Sequence, residues 1–254
     1  MRANLVIFPI IGSIIVLFLL IPIVICLGLG APHVTEVFHD REAVKALYLS
    51  LHAGLTSSLL ITLSGVPLAY SFSRRKTTVT KVVESLLEIP LALPHSVAGI
   101  MVLVAYNSRA PIGSLLARLG LVVEDSYWGI VFAMAFVSAP IFITTMRAGF
   151  DSVDVELENV ARTLGASGLE TFFTVSLPLA LRHLVAGFVL SFARGISEVG
   201  AVMIVAYYPK VAAVLVIERF LGYGLSAAMS LSAALALMSL VIFVALRLVT
   251  KRGG

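Results

Sequence analysis

The chain has 254 residues, of which 59% are hydrophobic and 13% charged, with a mean hydropathy of +1.05. Soluble domains carry about 25% charged residues, so this composition excludes an ordinary soluble protein and indicates a membrane protein. The single cysteine, Cys26, lies in an apolar run and excludes an intramolecular disulfide framework or a cysteine-based metal cage. The net charge of +4 is small, so the position of the charges is more informative than their sum.

A helix that crosses a bilayer needs about 20 mostly apolar residues. Six segments meet this requirement and predict an all-α membrane protein with six transmembrane helices. The first is longer than the core of a signal peptide, which favours a true span, although the small residues Gly28–Ala31 leave a cleaved signal as an alternative. The six predicted spans are Leu5–Leu29, Ala46–Phe72, Val83–Tyr106, Tyr127–Phe150, Ala180–Tyr207 and Leu225–Val249.

The distribution of Lys and Arg predicts the orientation, because these residues are enriched in cytoplasmic loops. Of the 18 Lys and Arg residues, eleven fall on the side that holds both termini and six on the other, while Arg194 lies within a span. Both termini and the segment 151–178 are therefore predicted to be cytoplasmic. The eleven are Arg2, Arg74, Arg75, Lys76, Lys81, Arg147, Arg162, Arg182, Arg247, Lys251 and Arg252, and the six are Arg41, Lys45, Arg109, Arg118, Lys210 and Arg219.

The third predicted span contains two prolines four residues apart, Pro90 and Pro94, in the sequence "EIPLALPHSVAG". Proline removes a backbone donor and bends a helix, which a membrane protein tolerates where neighbouring groups or water satisfy the freed carbonyl. Two interpretations stay open. The prolines either produce simple kinks or break the span near a water-filled path, as in many transport proteins.

The polar segment 151–178 contains a predicted short helix. Its apolar residues recur at the spacing of one helix face. Gly165 follows the last of them, where a helix can end in a left-handed turn, and Pro178 suits the first turn of the fifth span. The apolar residues of the predicted face are Val153, Leu157, Val160, Ala161 and Leu164.

The charge of this helix favours a protein partner over a lipid surface. Asp151 or Ser152 is predicted to cap its start, and Glu158 is predicted to pair with Arg162 four residues later. Helices that lie on a membrane usually carry Lys and Arg on the polar face, whereas acidic residues predominate here. An ordinary surface helix on the bilayer is the alternative.

The same segment resembles the "EAA" loop of the membrane-spanning permease subunits of binding-protein-dependent ABC importers. The stretches "ARTLGAS" (Ala161–Ser167) and "SLP" (Ser176–Pro178) carry the resemblance at the spacing of the motif. The sequence departs from the motif at Asn159 and Val160, where the family often has Glu and Ala, so that Glu158 is displaced by one position.

Other stretches resemble the molybdate, tungstate and sulfate branch of that family. They are "FARGISEVGA" (Phe192–Ala201), the segment Ile217–Leu240 and "IPLALPHSVAG" (Ile89–Gly99), and the similarity extends from about Ser50 to Val249. The resemblance implies one transmembrane domain over 1–254 that carries a tetrahedral oxyanion, with molybdate or tungstate first and sulfate next.

The resemblance also implies partners. Such permeases work in pairs, commonly two copies of one chain, in the cytoplasmic membrane of a prokaryotic cell. An extracytoplasmic binding protein delivers the substrate, and two ATP-binding cassette subunits dock on the cytoplasmic loops. The ATP and Mg²⁺ belong to those subunits, so no cofactor and no nucleic acid are expected on this chain. The residues implied in ATPase coupling are Leu157, Glu158, Val160, Ala161, Arg162, Leu164, Gly165, Ala166, Ser167 and Pro178.

Charged residues inside the fifth predicted span are candidates for the transport path. A charge at the centre of a bilayer costs about 2.5–3.5 kcal/mol on insertion scales, so Arg194 and Glu198 are expected to pair or to face water. They are either a buried structural pair or part of the pore or its gate, and the same alternatives apply to Pro94 and His95. Because Glu198 would largely cancel the attraction of Arg194 for an anion, no tight substrate site is expected.

The outer loops give weaker signals. His33, Glu36, His39 and Asp40 lie close in sequence, but their spacing matches no strong metal pattern, so no metal site is predicted. The basic residues of these loops either steer an anion, contact a binding protein or are ordinary solvated charges.

Three functions are alternatives to an oxyanion importer. A permease of the same family for another solute would share the coupling-loop motif but not the resemblance to the oxyanion branch. A stand-alone secondary transporter is expected to have an ion site and often internal repeats, and an intramembrane enzyme needs more than the isolated carboxylate of Glu198. The sequence contains no G-x-x-x-x-G-K-[ST] loop, so ATP hydrolysis would have to come from another chain, and this chain is not expected to be an enzyme.

Overall fold

The computed structural model describes the backbone of residues 2–252 and the side chains of residues 11–244. The side chains of Arg2, Arg247, Lys251 and Arg252, which enter the charge count, lie outside the described residues. Every regular element of residues 2–252 is helical, which confirms the all-α prediction. The helices are α1 (Arg2–Gly30), α2 (Val34–His39), α3 (Arg41–Arg74), α4 (Thr78–Leu87), α5 (Ile89–Ala92), α6 (His95–Tyr106), α7 (Pro111–Arg118), α8 (Tyr127–Asp151), α9 (Val155–Thr163), α10 (Gly168–Thr171), α11 (Leu177–Leu179), α12 (Leu181–Ile196), α13 (Gly200–Val205), α14 (Ala212–Tyr223) and α15 (Leu225–Arg252).

Among the described residues, four helical stretches are long and apolar enough to cross a membrane by themselves. Two bent helix pairs also qualify if each pair is counted as one span. Thr78–Ala92 and His95–Tyr106 meet at 120°, and Gly168–Leu179 and Leu181–Ile196 meet at 70°. The described part of the chain therefore holds four to six candidate spans. The four unbroken stretches are Ile11–His39, Arg41–Arg74, Tyr127–Asp151 and Leu225–Val244.

The third predicted span is broken at its prolines. Leu93 has an extended backbone with ψ of 143°, as expected for a residue before proline, and Pro94 has ψ of 136°. Helix α6 then begins at His95. Of the two interpretations of the prolines, the structure shows a break between two helices and not a simple kink within one helix.

The prediction of one continuous helix over Ala180–Tyr207 is wrong. Helix α12 ends at Ile196, and a separate helix α13 runs from Gly200 to Val205. The side chain of Glu198 explains the interruption, because its Oε1 atom accepts the backbone N–H of Ala201 at 2.8 Å in the first turn of α13. A carboxylate that satisfies a free N–H group stabilises the start of a new helix.

Helices α3, α8 and α12 form the centre of the bundle. Phe142 of α8 is fully buried and fits beside the glycines Gly65 and Gly187 of the other two helices. Helix α13 packs on α6, where a Cβ atom at Gly99 would lie only 2.8 Å from the backbone of Ala201. We call the end of the bundle that carries 151–178 the loop end, and the opposite end the far end.

Candidate functional site

Helix α9 of the loop end begins two or three residues later than predicted. Asp151 is the last residue of α8, and the cap of α9 is Asp154, whose side chain accepts the N–H of Glu156 at 2.9 Å. The predicted caps, Asp151 and Ser152, are therefore wrong. The sequence offered several capping residues in a row, and the length of α8 decides which of them is used.

The end of α9 agrees with the prediction for Gly165. This residue has φ of +98°, and its N–H donates to the carbonyl of Arg162 while the N–H of Ala166 donates to that of Ala161, both at 3.0 Å. These two bonds define a Schellman motif, which closes a helix with a left-handed residue. A Cβ atom at Gly165 would meet no atom within 4 Å, so the backbone conformation and not crowding inside the chain requires glycine.

The chain then returns to the bundle through three short helical pieces. Ser167 and Glu170 bond each other's backbone N–H groups in a capping box that starts α10, and the N–H of Ser167 lowers the pKa of the Glu170 carboxyl. A π-helical turn follows at Phe172–Ser176. Pro178 lies in the first turn of α11, as the sequence predicts for the re-entry.

The predicted apolar face of α9 divides into a buried and an exposed part. Val153 is buried in the core of the loop end, next to α8. Leu157, Val160 and Leu164 instead have 48%, 57% and 83% of their surface exposed. The apolar residues of α9 itself therefore form a surface on the outside of the loop end.

Glu158 occupies the side of α9 that faces the bundle and is buried. Its Oε1 atom accepts Arg74 Nη2 at 2.7 Å, Arg74 Nε at 3.0 Å and Ser176 Oγ at 2.7 Å, and its Oε2 atom accepts Tyr70 OH at 3.1 Å. We call these four residues the loop anchor. The predicted pairing of Glu158 with Arg162 is wrong, because Arg74 at the end of α3 takes that place.

The loop anchor keeps Glu158 ionised. Burial by itself would raise the pKa of Glu158, but the hydrogen bonds of Arg74 and Ser176 and the positive charge of Arg74 outweigh burial and hold the pKa below its ordinary value of 4.5. The pair also satisfies the requirement that a buried charge be matched by a partner and hydrogen bonds.

Hydrogen bonds and ion pairs extend the loop anchor across the loop end. Arg74 Nη1 donates to the carbonyl of Phe150 at 3.0 Å, and Ser73 Oγ donates to the carboxylate of Asp151 at 2.6 Å. Arg147 contacts Asp151 and also the carboxylate of Glu84 on α4. Helix α9 is thus connected to α3, α8 and α4 through charged and hydroxyl groups.

A second group of charged residues lies at the breaks in the third and fifth predicted spans. Glu198 is fully buried, and its Oε2 atom lies 2.7 Å from His95 Nδ1 and 2.8 Å from Arg194 Nη1. We call His95, Arg194 and Glu198 the central cluster. The expected pairing of Arg194 with Glu198 is confirmed, and His95, the first residue of α6, joins them, with Pro94 adjacent and exposed.

The central cluster lies inside the bundle, away from the start of α12 at the loop end. Arg194 is 13 residues beyond the start of α12 at Leu181, which corresponds to about 20 Å along a helix.

Ion pairs also connect charged residues at the far end. Lys210 Nζ lies 2.8 Å from Glu218 and 3.1 Å from Glu42, and Arg219 contacts Asp40. The hydrogen bond that Lys210 donates to the carboxylate of Glu218 raises the pKa of Lys210. Two of the six far-end basic residues, Lys210 and Arg219, are therefore largely neutralised by carboxylates. Arg109 and Arg118 are exposed.

The histidines considered for a metal site do not converge on one point. His33 Nδ1 lies 3.0 Å from Glu36, whereas His39 Nδ1 bonds the carbonyl of Thr35. Within the described residues, no group of three His, Cys, Asp or Glu side chains is placed to hold a metal ion.

Sequence reasoning missed three partners of Glu158, namely Tyr70, Arg74 and Ser176. Arg74 was assigned only to a cluster of cytoplasmic charges. The available signal was its position at the end of a long apolar segment, where a charged side chain can turn back toward the bundle.

The architecture defines a helical protein that crosses the membrane several times and has a polar loop at one end. The sequence family described as "Binding-protein-dependent transport system inner membrane component" matches residues 61–252. The chain belongs to this family, which confirms the resemblance noted from the loop motif.

Individual relatives are named as permease proteins of transport systems. The chain is 43% identical over 243 residues to the "Molybdate/tungstate transport system permease protein WtpB" of Pyrococcus abyssi, with 94% of this chain and 93% of that protein covered. It is 31% identical to the "Sulfate transport system permease protein CysT" of Synechococcus elongatus, with 89% and 84% covered.

Solved structures share the fold. A chain in the crystal structure of a bacterial alginate ABC transporter, in complex with an alginate pentasaccharide-bound periplasmic protein, superposes with a TM-score of 0.75 at 16% identity. The superposition covers 99% of this chain and 96% of that chain. The chain described here is therefore a multi-pass inner membrane component of a binding-protein-dependent transport system.

Proposed function

We propose that this chain forms the translocation pore of an ATP-driven importer for a tetrahedral oxyanion, with molybdate or tungstate first and sulfate next. It acts as one transmembrane domain over 1–254 with six spans and a cytoplasmic coupling loop over 151–178 between the fourth and fifth spans. Two copies form the pore, two ATP-binding cassette subunits carry the ATP and Mg²⁺, and an extracytoplasmic protein delivers the anion. Both termini lie in the cytoplasm of a prokaryotic cell.

One observation carries the proposal for coupling: α9 turns an apolar surface outward while a buried ion pair holds its other side. Leu157 and Val160 of α9 and Leu164 directly after it are exposed among polar residues, at the end of the bundle that carries the motif. An exposed apolar group surrounded by polar residues is typical of a protein contact. This surface is the site at which the ATPase subunit docks.

The loop anchor explains how motion of the ATPase reaches the pore. Because Glu158 bonds Arg74 and Ser176, a displacement of α9 is passed to the end of α3 and to the segment that enters α12. Gly165 and the Schellman motif fix the angle between α9 and α10. Ala161, Arg162, Ala166, Ser167 and Pro178 complete this coupling loop, and Pro94 with the central cluster lies at the pore or its gate.

The names of the relatives support the choice of substrate. A protein 43% identical over almost the whole chain is named for molybdate and tungstate, and a more distant one is named for sulfate. All three are tetrahedral dianions, so one pore could pass any of them, and the binding protein would select among them.

Association with the ATPase tests the docking surface. The change Leu164→Asp places a charge on a side chain that is 83% exposed, so it should leave the fold intact but abolish copurification with the ATPase subunit in mild detergent. Leu119, which is 70% exposed at the far end, supplies the matched control, because Leu119→Asp should leave the association unchanged. Unchanged copurification of Leu164→Asp would refute the proposed docking surface.

Transport assays test the substrate and the energy source. The chain, reconstituted in vesicles with its ATPase and binding protein, should take up tungstate, molybdate or sulfate only when ATP is supplied on the loop side. Uptake driven by an ion gradient without ATP would favour a secondary transporter. A preference for an amino acid or a sugar would refute the oxyanion assignment.

A further inference from the structure

Helix α4, the first part of the broken third span, has little apolar contact with the bundle. None of its ten residues is buried, and its three valines are exposed. Apart from Thr80, which caps the helix, only Glu84 and Leu87 of α4 are half-buried. Helices in proteins take most of their stability from packing an apolar face, so polar contacts have to contribute to holding α4 in place.

The polar contact of α4 is an ion pair with α8. The carboxylate of Glu84 contacts the guanidinium of Arg147, and their side chains are 17% and 32% exposed. Solvent screens such a half-buried pair much less than an exposed one. Arg147 Nε also lies 3.4 Å from Asp151 Oδ2, one turn later on α8. In the described part of the chain, no other ion pair joins α4 to another helix.

Asp151 connects this ion pair to the loop anchor. Ser73 Oγ donates to Asp151 Oδ1 at 2.6 Å and accepts Arg74 Nη1 at 2.8 Å. Arg74 in turn bonds Glu158 of α9. An unbroken series of polar contacts therefore leads from α9 to α4. In order, its members are Glu158, Arg74, Ser73, Asp151, Arg147 and Glu84.

The direction of α4 determines where the second half of the third span begins. Helix α5 follows α4 directly, and only Leu93 and Pro94 separate α5 from α6, which bends away by 120°. The first residue of α6 is His95, a member of the central cluster. A displacement of α4 therefore moves one side of the central cluster.

Building on the proposed function, we propose that Arg147 and Glu84 are positioning residues for coupling. Their ion pair passes the displacement of α9 to the third span. The loop anchor by itself connects α9 to α3 and to the segment that enters α12. With this pair added, the ATPase moves both broken spans together, and the two sides of the central cluster shift in step.

A double-mutant cycle tests the pair in vesicles that contain this chain, its ATPase and its binding protein. The readout is tungstate taken up per ATP hydrolysed. Arg147→Gln and Glu84→Gln each remove one charge of the pair and should each lower this ratio about fivefold. The double variant should lose no more than either single variant, because the interaction is already absent. Arg182→Gln, at an exposed arginine of the loop end, is the matched control and should leave the ratio unchanged.

The ratio separates a positioning role from a structural one. Loss of folding or assembly would lower uptake and ATP hydrolysis together, so an unchanged ratio in Arg147→Gln overturns the proposal. Losses that combine to about 25-fold in the double variant also overturn it, because the two residues would then act separately.

Hydrogen exchange in the complex purified in mild detergent gives a test that does not depend on transport. Because the ion pair holds α4, Arg147→Gln should raise the exchange rates of the α4 amides about fivefold and leave those of α3 unchanged. Unchanged exchange in α4 overturns the proposal. If the unchanged complex takes up no tungstate while α4 responds in this way, the proposed function is refuted and the positioning of α4 by Arg147 is supported.

Discussion

Glu158 at the loop end and Glu198 at the centre are both buried carboxylates paired with an arginine, yet their surroundings differ. Arg74, the partner of Glu158, is 15% exposed and bonds several further groups of α3 and α8. At Glu198 the second basic partner, His95, is 54% exposed. One ion pair is enclosed on all sides, and the other is open on one side.

This difference separates two mechanical roles. The enclosed pair joins four helices into one body, which suits a part that must transmit a displacement without deforming. The open pair joins the ends of two interrupted helices, which suits a part that must rearrange when an anion passes. The same pair of residue types thus occurs in an enclosed environment in one place and in an open one in the other.

The largest expected effect comes from breaking the enclosed pair. Arg74→Ala leaves Glu158 buried without its partner, which should destabilise the protein by about 3 kcal/mol and abolish ATP-coupled transport. Arg194→Ala should cost less stability, because the open side admits water. Arg75→Ala, at an exposed neighbouring residue, should change stability by no more than about 0.5 kcal/mol. Melting temperatures in detergent measure all three, and an equal loss for Arg74→Ala and Arg194→Ala would contradict the comparison.

A smaller effect on stability, with a large effect on transport, is expected at the turn after α9. Gly165→Asp puts a side chain at φ of +98°, which costs about 1 kcal/mol and disturbs the angle between α9 and α10. Gly120 has φ of +81° at the far end and similar open space, so Gly120→Asp is the matched control for strain. Only the Gly165 variant should lose ATP-coupled uptake. Normal uptake by it would refute the role of this turn.

The smallest expected effect is a loss of stability at acidic pH. The pKa of Glu158 lies below its ordinary value of 4.5, so the stability that its charge provides is complete above about pH 4.5 and is lost as the pH falls through the lower pKa of the folded state. The difference in melting temperature between the unchanged protein and Glu158→Gln should therefore be constant near neutral pH and shrink below pH 4.5. Glu156→Gln, at an exposed residue of the same helix, is the matched control for the loss of one carboxylate. A difference that persists unchanged to lower pH would contradict the assignment.

The sequence predicted those features that depend on neighbouring residues. The long apolar segments and the glycine at a left-handed helix end follow from local chemistry, whereas at the two prolines of the third span a kink and a break both stayed open. The pairing of Arg194 with Glu198 was also accessible, because residues four apart share one face of a helix.

Contacts between distant residues could not be predicted in this way. Glu158 bonds Arg74 across 84 positions of sequence, whereas the local rule pointed to Arg162. Likewise, nothing near Glu198 in sequence indicates that its carboxylate ends one helix and begins another. At Glu158 a buried charge selects its partner from the whole fold, since leaving it unpaired costs more than any local preference contributes.

The π-helical turn at Phe172–Ser176 sets the length of the loop. Such a turn accommodates one residue more than a regular helical turn, and it brings the Ser176 hydroxyl to Glu158 at 2.7 Å. If one residue were deleted between Phe172 and Ser176, the segment could close into a regular helix and rotate Ser176 by about 100° away from Glu158. The spacing of 13 residues from Gly165 to Pro178 therefore fixes the position of Ser176 relative to Glu158. The segment should tolerate substitutions more readily than a change in length.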